Sequence, residues 1–132
     1  MDLYHRIVKA KLFIDDNCCN TVNLDHLSQE ACLSKFHFLR LFKRTYNKTP
    51  HQYLTERRIE KAKTKLSDTD LKVQEICMDV GFESVTSFTL KFRSVTGQTP
   101  MDYRKKRLKI KQIQNEQPDS MVPGCFATKY VD

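Results

Sequence analysis

The chain of 132 residues contains no tryptophan and few helix breakers, with only 3 glycines and 4 prolines. That composition excludes collagen-like and Pro/Gly-rich low-complexity chains and is typical of a helical protein. No apolar run approaches the roughly 20 residues that a membrane-spanning helix needs. Residues 1–16 are amphipathic and mixed in charge, which argues against a secretory signal. We therefore expect a helix-rich cytoplasmic protein with no membrane partner.

Cysteine is present without any of its usual patterns. The five cysteines form an odd set with no C-x-x-C pair, and no second close pair of Cys or His supplies zinc-ligand spacing. No cysteine is accompanied by a recognisable base and orienting group, and no phosphate-binding loop occurs. The sequence predicts reduced thiols, no metal site, no cofactor and no enzymatic activity.

Acidic residues are missing from two windows, although the whole chain contains 16. The first window lies between Glu30 and Glu56 and contains five lysines and arginines; the second lies between Glu83 and Asp102 and contains Lys91 and Arg93. With a net charge of +7, this concentration of positive charge favours a polyanionic partner such as nucleic acid.

The two windows belong to an internal repeat. Residues 34–54 align with residues 84–104 at an offset of 50, with Thr-Pro and Tyr repeated in "TPHQY" and "TPMDY". Upstream, "LDHLSQEA" (24–31) aligns with "VQEICMDV" (73–80) at an offset of 49, so the second copy has one extra residue near "GFES" (81–84). A duplicated unit therefore occupies most of the chain.

Each copy has the pattern of two short helices joined by a tight turn. Apolar residues recur at three and four within 24–31 and 73–80, and Ser34 and Ser84 are favoured N-caps for a second helix. Asn47 and Gly97 tolerate the left-handed conformation that ends a helix. The pattern predicts an all-α fold of about seven helices, with units at about 24–46 and 73–96 joined by a linker helix at about 50–66. Topology alone does not distinguish a helix-turn-helix from an ordinary helical hairpin; the basic second helix favours the former.

Three segments together resemble the signature of AraC/XylS-type bacterial transcription regulators. They are "RIEKAKTKL" (58–66), "VQEICMDVGFES" (73–84) and "SFTLKFRSVTGQTPMDYR" (87–104). The resemblance covers residues 3–104, the extent of that family's DNA-binding domain. It implies two helix-turn-helix units that insert their second helices into successive major-groove segments, as a monomer bound to double-stranded DNA. It also implies transcription regulation, as an activator that contacts RNA polymerase.

The resemblance also assigns DNA contacts by position. In the first unit it implies base contacts by Phe36, Leu39 and Arg40, with Lys35, Lys43 and Arg44 towards the backbone. His37 lies beside them and is either a phosphate contact or a solvated surface histidine. In the second unit the matching base-contacting residues are Val85, Thr86, Thr89 and Leu90, with Ser84 and Arg93 towards the backbone. Many family members have arginine where this chain has Leu90, so we expect weaker or methyl-based recognition there. Lys91 is expected on the core side, together with Phe88, Phe92 and Val95.

Several alternatives remain at this stage. Residues 105–132 are either a helix extension near DNA phosphates or a solvated, disordered tail. The chain is too short to include the usual ligand-sensing domain, so it is a stand-alone regulator or the output fragment of a larger one. The exposed apolar residues Phe36 and Leu39 are also compatible with a protein–protein interaction module.

Overall fold

The computed structural model describes residues 2–116, which form seven helices and no strand. The helices are Leu3–Asn17 (α1), Leu24–Glu30 (α2), Lys35–Tyr46 (α3), Pro50–Asp68 (α4), Val73–Asp79 (α5), Val85–Thr96 (α6) and Pro100–Glu116 (α7). The expected all-α class is confirmed for these residues. Residues 117–132, the end of the expected basic tail, lie outside the described residues.

The second helix of each unit begins and ends as the capping residues predict. The Ser34 hydroxyl accepts from the backbone N–H of His37, and the Ser84 hydroxyl accepts from that of Ser87. Each bond satisfies a helix-start N–H that has no partner within the helix. At the other end Asn47 and Gly97 take left-handed conformations, with φ of 61° and 80°.

The turns between the paired helices are identical in their hydrogen bonds. In the first unit the N–H groups of Cys32 and Leu33 donate to the carbonyls of Gln29 and Ser28. In the second unit the N–H groups of Gly81 and Phe82 donate to the carbonyls of Met78 and Cys77. This pair of bonds closes a helix around a left-handed residue, here Cys32 at φ 56° and Gly81 at φ 100°. Because Leu33 matches Phe82 and Ser34 matches Ser84, the extra residue of the second copy is Glu83.

Two hydrophobic cores lie along one shared helix. The first core packs α1, α2 and α3 around Phe38 and Phe42, and the second packs α5 and α6 around Phe88 and Phe92. The amino-terminal part of α4 closes the first core through Leu54. The remainder of α4 enters the second core through its buried residues Ile59, Ala62 and Leu66. The linker is therefore part of both cores and fixes their separation.

The structural repeat is longer than the one identified from the helix-turn-helix segments. α1 packs into the first core as the carboxyl-terminal part of α4 packs into the second. The sequences agree, since "RIVKAK" (6–11) matches "RIEKAK" (58–63) at an offset of 52. The buried residues Ile7, Ala10 and Ile14 occupy the spacing of Ile59, Ala62 and Leu66. Each unit therefore has three helices before its closing helix.

The last helix continues past Arg104, the expected end of the DNA-binding domain, to Glu116. Arg104 donates through Nε to the carbonyl oxygen of Leu66 at 3.1 Å and through Nη2 to that of Thr69 at 3.2 Å. Further along, Lys111 bonds the Ser67 carbonyl and lies 3.4 Å from an Asp68 carboxylate oxygen. These cations bind the carbonyl end of α4, where helix-dipole charge is negative. Residues 105–116 are therefore helical, and the expected position of this extension near DNA phosphates stays a prediction.

Candidate nucleic-acid interface

The outer face of α3 carries a compact set of large side chains. Phe36, Arg40 and Lys43 follow one another at four and three residues and so lie on one face of the helix. All three are exposed, and the Phe36 side chain is 79% accessible. The opposite face is anchored by the fully buried Phe38 and Phe42. The anchoring rings therefore fix the direction in which the outer residues point.

The corresponding face of α6 has the same geometry and different chemistry. Thr86, Leu90 and Arg93 repeat the spacing of the three α3 residues, and all are exposed. Leu90 is 67% accessible and Val85, at the start of the helix, is 39% accessible. Thr89 is half-buried. Where α3 presents an aromatic ring and a guanidinium, α6 presents an alkyl side chain beside hydroxyl and methyl groups.

Three residues of the first unit that were expected to contact DNA are either paired or partly buried within the protein. The Lys35 ammonium lies 2.5 Å from an Asp25 carboxylate oxygen, with both side chains mostly exposed. His37 is half-buried at the helix start. Leu39, expected among the base-contacting residues, is half-buried and lines an apolar cavity of about 140 Å³ together with Leu27 and Leu54. Leu39 is thus partly withdrawn from the outer face.

Two residues of α6 lie elsewhere than the sequence placed them. Lys91 and Val95 were expected on the core side with Phe88 and Phe92, but both are exposed. Lys91 lies three positions after Phe88 and one before Phe92. At 100° per residue, its side chain is therefore rotated by about 60° from that of Phe88 and by about 100° from that of Phe92. This rotation brings Lys91 out of the core. Lys91 lies in a groove between α6 and α4 that His51 and Thr55 also line.

That groove separates the two units and contains a further cation. Arg58 of α4 donates through Nε to the Cys18 carbonyl at 2.6 Å and through Nη2 to the Asn20 carbonyl at 2.9 Å. Burial lowers the pKa of the Arg58 guanidinium from its ordinary value, which for arginine still leaves it charged. Arg58 therefore ties the end of α1 to the middle of α4 and stiffens the connection between the units.

Among residues 2–116, no three His, Cys, Asp or Glu side chains come together as a metal site would require. None of the helices in this range combines the length and apolar character needed to cross a membrane. The thiols of Cys19 and Cys77 have pKa values raised by burial, which disfavours their nucleophilic thiolate forms.

Comparison with known proteins identifies this arrangement. A family model described as a helix-turn-helix domain matches residues 27–106, more than half of the chain. An AraC-type DNA-binding domain protein from Chromobacterium violaceum superposes with a TM-score of 0.74 at 24% identity, over 79% of this chain and 93% of that one. The chain belongs to the AraC/XylS family. Its two units are the paired helix-turn-helix units of an AraC-type DNA-binding domain.

Relatives of different lengths share this domain. The chain is 30% identical over 92 residues to the regulatory protein SoxS of Salmonella typhimurium, covering 70% of this chain and 86% of that protein. It is 31% identical over 98 residues to the transcriptional activator AarP of Providencia stuartii, covering 74% and 73%. It is 32% identical over 101 residues to the regulator YdeC of Bacillus subtilis, covering 76% of this chain and only 35% of YdeC. The chain thus spans about a third of some AraC/XylS regulators and most of others.

One solved structure of this fold contains DNA. The DNA-binding domain of AdpA, in complex with a target DNA, superposes with a TM-score of 0.71 at 22% identity, over 86% of this chain and 96% of that one. At this level of identity the match establishes a shared fold. We call the outer faces of α3 and α6 the first and second recognition faces.

Proposed function

We propose that the protein is a sequence-specific DNA-binding transcription regulator that inserts α3 and α6 into successive major-groove segments. The observation that carries the proposal is the pair of recognition faces, each exposed outside a helix whose other side is fixed by two buried phenylalanines. An α-helix fits the major groove, where each base pair presents a distinct pattern of polar groups and methyls. The AdpA complex with DNA supports this use of the fold.

The shared helix supports simultaneous binding at both segments. α4 has 19 residues and is about 28 Å long at 1.5 Å per residue, comparable with the ~34 Å that separates equivalent major-groove segments. Because α4 belongs to both cores, the distance between the units is set before DNA is bound. We propose that the protein binds as a monomer in the bacterial cytoplasm and recognises an asymmetric site.

In the first unit we assign base contacts to Phe36 and Arg40. The Arg40 guanidinium can donate two hydrogen bonds to O6 and N7 of one guanine, and the Phe36 ring can pack on a thymine methyl. Leu39 is kept as a peripheral contact because it is half-buried. The phosphate contacts are assigned to residues around the helix starts and outer turns, namely Lys35, His37, Lys43, Arg44, Ser84 and Arg93.

We also propose Lys91 as a phosphate contact, although the sequence pattern places it on the core side. It is exposed beside the groove between the units, so its ammonium faces the DNA backbone that would cross from one major-groove segment to the next.

The proposed activity is binding alone, without catalysis. Since AarP is named as a transcriptional activator, we propose that bound protein activates transcription through contact with RNA polymerase.

Salt-dependent DNA binding tests the proposal. A target is first selected from a random pool of duplexes, and its Kd is then measured from low to moderate salt. If Lys35, Lys43, Arg44, Lys91 and Arg93 each neutralise one phosphate, log K falls against log salt with a slope of about −4.5. Failure to select any sequence, together with a slope near zero, would contradict the proposal.

A protein–protein interaction module is the second candidate, favoured by the exposure of Phe36 and Leu90. This candidate predicts apolar burial against a protein and almost no salt dependence of DNA binding.

Transcription in vitro with RNA polymerase and the selected site tests the proposed activation, for which more transcript is expected. Less transcript would identify a repressor and contradict the proposed activation.

A further inference from the structure

We propose that the second unit recognises its DNA segment through thymine C5-methyl groups, with Leu90 as the main base-contacting residue. This inference rests on the DNA binding proposed above and adds the chemistry of one half of the target. It also assigns different base preferences to the two halves of a single site.

The exposure of Leu90 is a property of the packed helix. Phe88 and Phe92, two positions before and after it, are completely buried, with ring centroids 5.7 Å apart. A residue midway between two buried positions four apart lies on the opposite side of the helix. Leu90 is therefore held outward by its neighbours, and no rotation of α6 buries it without exposing both rings.

The chemistry of Leu90 restricts what it can recognise. Its side chain neither donates nor accepts hydrogen bonds, so it cannot distinguish the polar edges of base pairs. The major groove displays one apolar group, the C5-methyl of thymine. Val85 adds exposed apolar surface on the same helix, and the Thr86 methyl can also contact thymine. The face therefore matches a segment with thymines at adjoining steps.

Two cations on α6 could in principle contact bases instead. Arg93 lies in the last turn of the helix, whereas recognition helices contact base edges mainly with their amino-terminal residues. Lys91 lies to the side, in the groove shared with His51 and Thr55 of α4. Neither position is at the centre of the face, which Leu90 occupies.

The first recognition face provides an internal contrast. Arg40 holds the position in α3 that Leu90 holds in α6, and both are exposed. The repeat thus places a bidentate donor in one half of the interface and an alkyl group in the other. We call the DNA segments that α3 and α6 enter the first and second segments. We expect guanine N7 to contribute to binding in the first segment and thymine methyls to contribute in the second.

Base analogues in the selected target test this assignment atom by atom. Each thymine in the second segment is replaced in turn by deoxyuridine, which removes only the methyl. Removing one contacted methyl is expected to weaken binding about fourfold, the effect of losing one buried CH₂-sized group. Replacing the same T·A pair by C·G should weaken binding, and 5-methylcytosine·G should recover part of the loss.

Variants then connect the methyl effect to the residue. In Leu90→Ala the deoxyuridine penalty in the second segment should disappear, while analogue effects in the first segment stay unchanged. Val95→Ala is the matched control, because Val95 is an exposed apolar residue of the same helix on the side facing α4. It should retain the full penalty. Both substitutions remove exposed side chains, so thermal unfolding should confirm that each variant is folded.

Three outcomes would overturn the inference while leaving DNA binding intact. The first is a deoxyuridine penalty in the second segment that persists in Leu90→Ala. The second is the absence of any such penalty. The third is a loss on replacing a guanine there by 7-deazaguanine, which would assign recognition to Arg93 or Lys91. Failure of the initial selection to yield any site would instead contradict the proposed function itself.

Discussion

The two units have the same backbone and fill it with different residues. Their turns close with the same pair of hydrogen bonds around Cys32 in one unit and Gly81 in the other, and their recognition helices end at Asn47 and Gly97. The second unit thus has glycine wherever the chain turns left-handed, and the first has side chains there. On the recognition faces the difference is Arg40 against Leu90. Duplication has preserved the scaffold, whereas the surfaces that determine binding have diverged.

The largest effects are expected where the two cores are most alike. Phe42→Ala and Phe92→Ala should each reduce the free energy of unfolding by about 3–5 kcal/mol, because each removes a fully buried ring. Phe42 should cost more, since it contacts both Tyr46 and Tyr53, whereas Phe92 contacts Tyr103. Chemical denaturation measures both values. Because α4 enters both cores, we expect one transition in each variant; two separate transitions would show that the units unfold independently.

Substitutions at the two glycines of the second unit distinguish the cost of backbone strain from the cost of a steric clash. Gly81→Ala and Gly97→Ala both place a side chain at positive φ, which costs about 1–2 kcal/mol. A Cβ at Gly81 would also lie 2.9 Å from Arg58 Nε and 3.1 Å from the Cys19 carbonyl oxygen, whereas one at Gly97 meets open space. Gly81→Ala should therefore destabilise the protein by roughly 1 kcal/mol more. Equal thermal stabilities would show that Arg58 moves aside without losing its hydrogen bonds.

The recognition faces are compared by substitution on the selected DNA. Arg40→Ala should weaken specific binding by about 1–3 kcal/mol and relax one guanine position, and Leu90→Ala should weaken it by only about 0.8 kcal/mol. Competition titrations against single-base variants give both numbers. Arg44→Ala serves as the control, because a phosphate contact should weaken binding on all sequences and make the salt slope shallower by about 1. A uniform loss for Arg40→Ala as well would reassign Arg40 to the backbone.

The repeat, the capping residues and the apolar periodicity were sufficient to predict the all-α class. Local chemistry decides these features: serine accepts from the third N–H of a helix, and paired phenylalanines four apart define its buried side. The likeness of α1 to α4 does not follow from the helix-turn-helix repeat, because "RIEKAK" (58–63) lies in the linker helix. The burial of Ile59 and Ala62 in the second core establishes it.

Other features depended on contacts between distant parts of the chain. Leu39 shares the outward spacing of Phe36, yet residues of α2 and α4 cover it, and the sequence contains no local sign of that contact. Lys91 is adjacent in sequence to the buried Phe92. At such a position the helical period of 3.6 residues predicts only approximately whether a side chain faces the core or the solvent. The path of α7 depends on Arg104 and Lys111 meeting the end of α4, about 40 residues earlier in sequence.

The smallest expected effect concerns backbone strain at the left-handed positions, where the first unit has side chains and the second has glycine. Cys32 is exposed and holds φ at 56°, a conformation that costs a non-glycine residue about 1–2 kcal/mol. Cys32→Gly removes that cost but increases the entropy of the unfolded chain by about 0.5–1 kcal/mol, so we expect a net stabilisation of about 0.5–1 kcal/mol. Asn47→Gly should change stability by less, because asparagine already tolerates this conformation. Thermal unfolding of both variants decides between strain and accommodation. A Cys32→Gly variant less stable than the parent would mean that the thiol makes a stabilising contact that offsets its backbone cost.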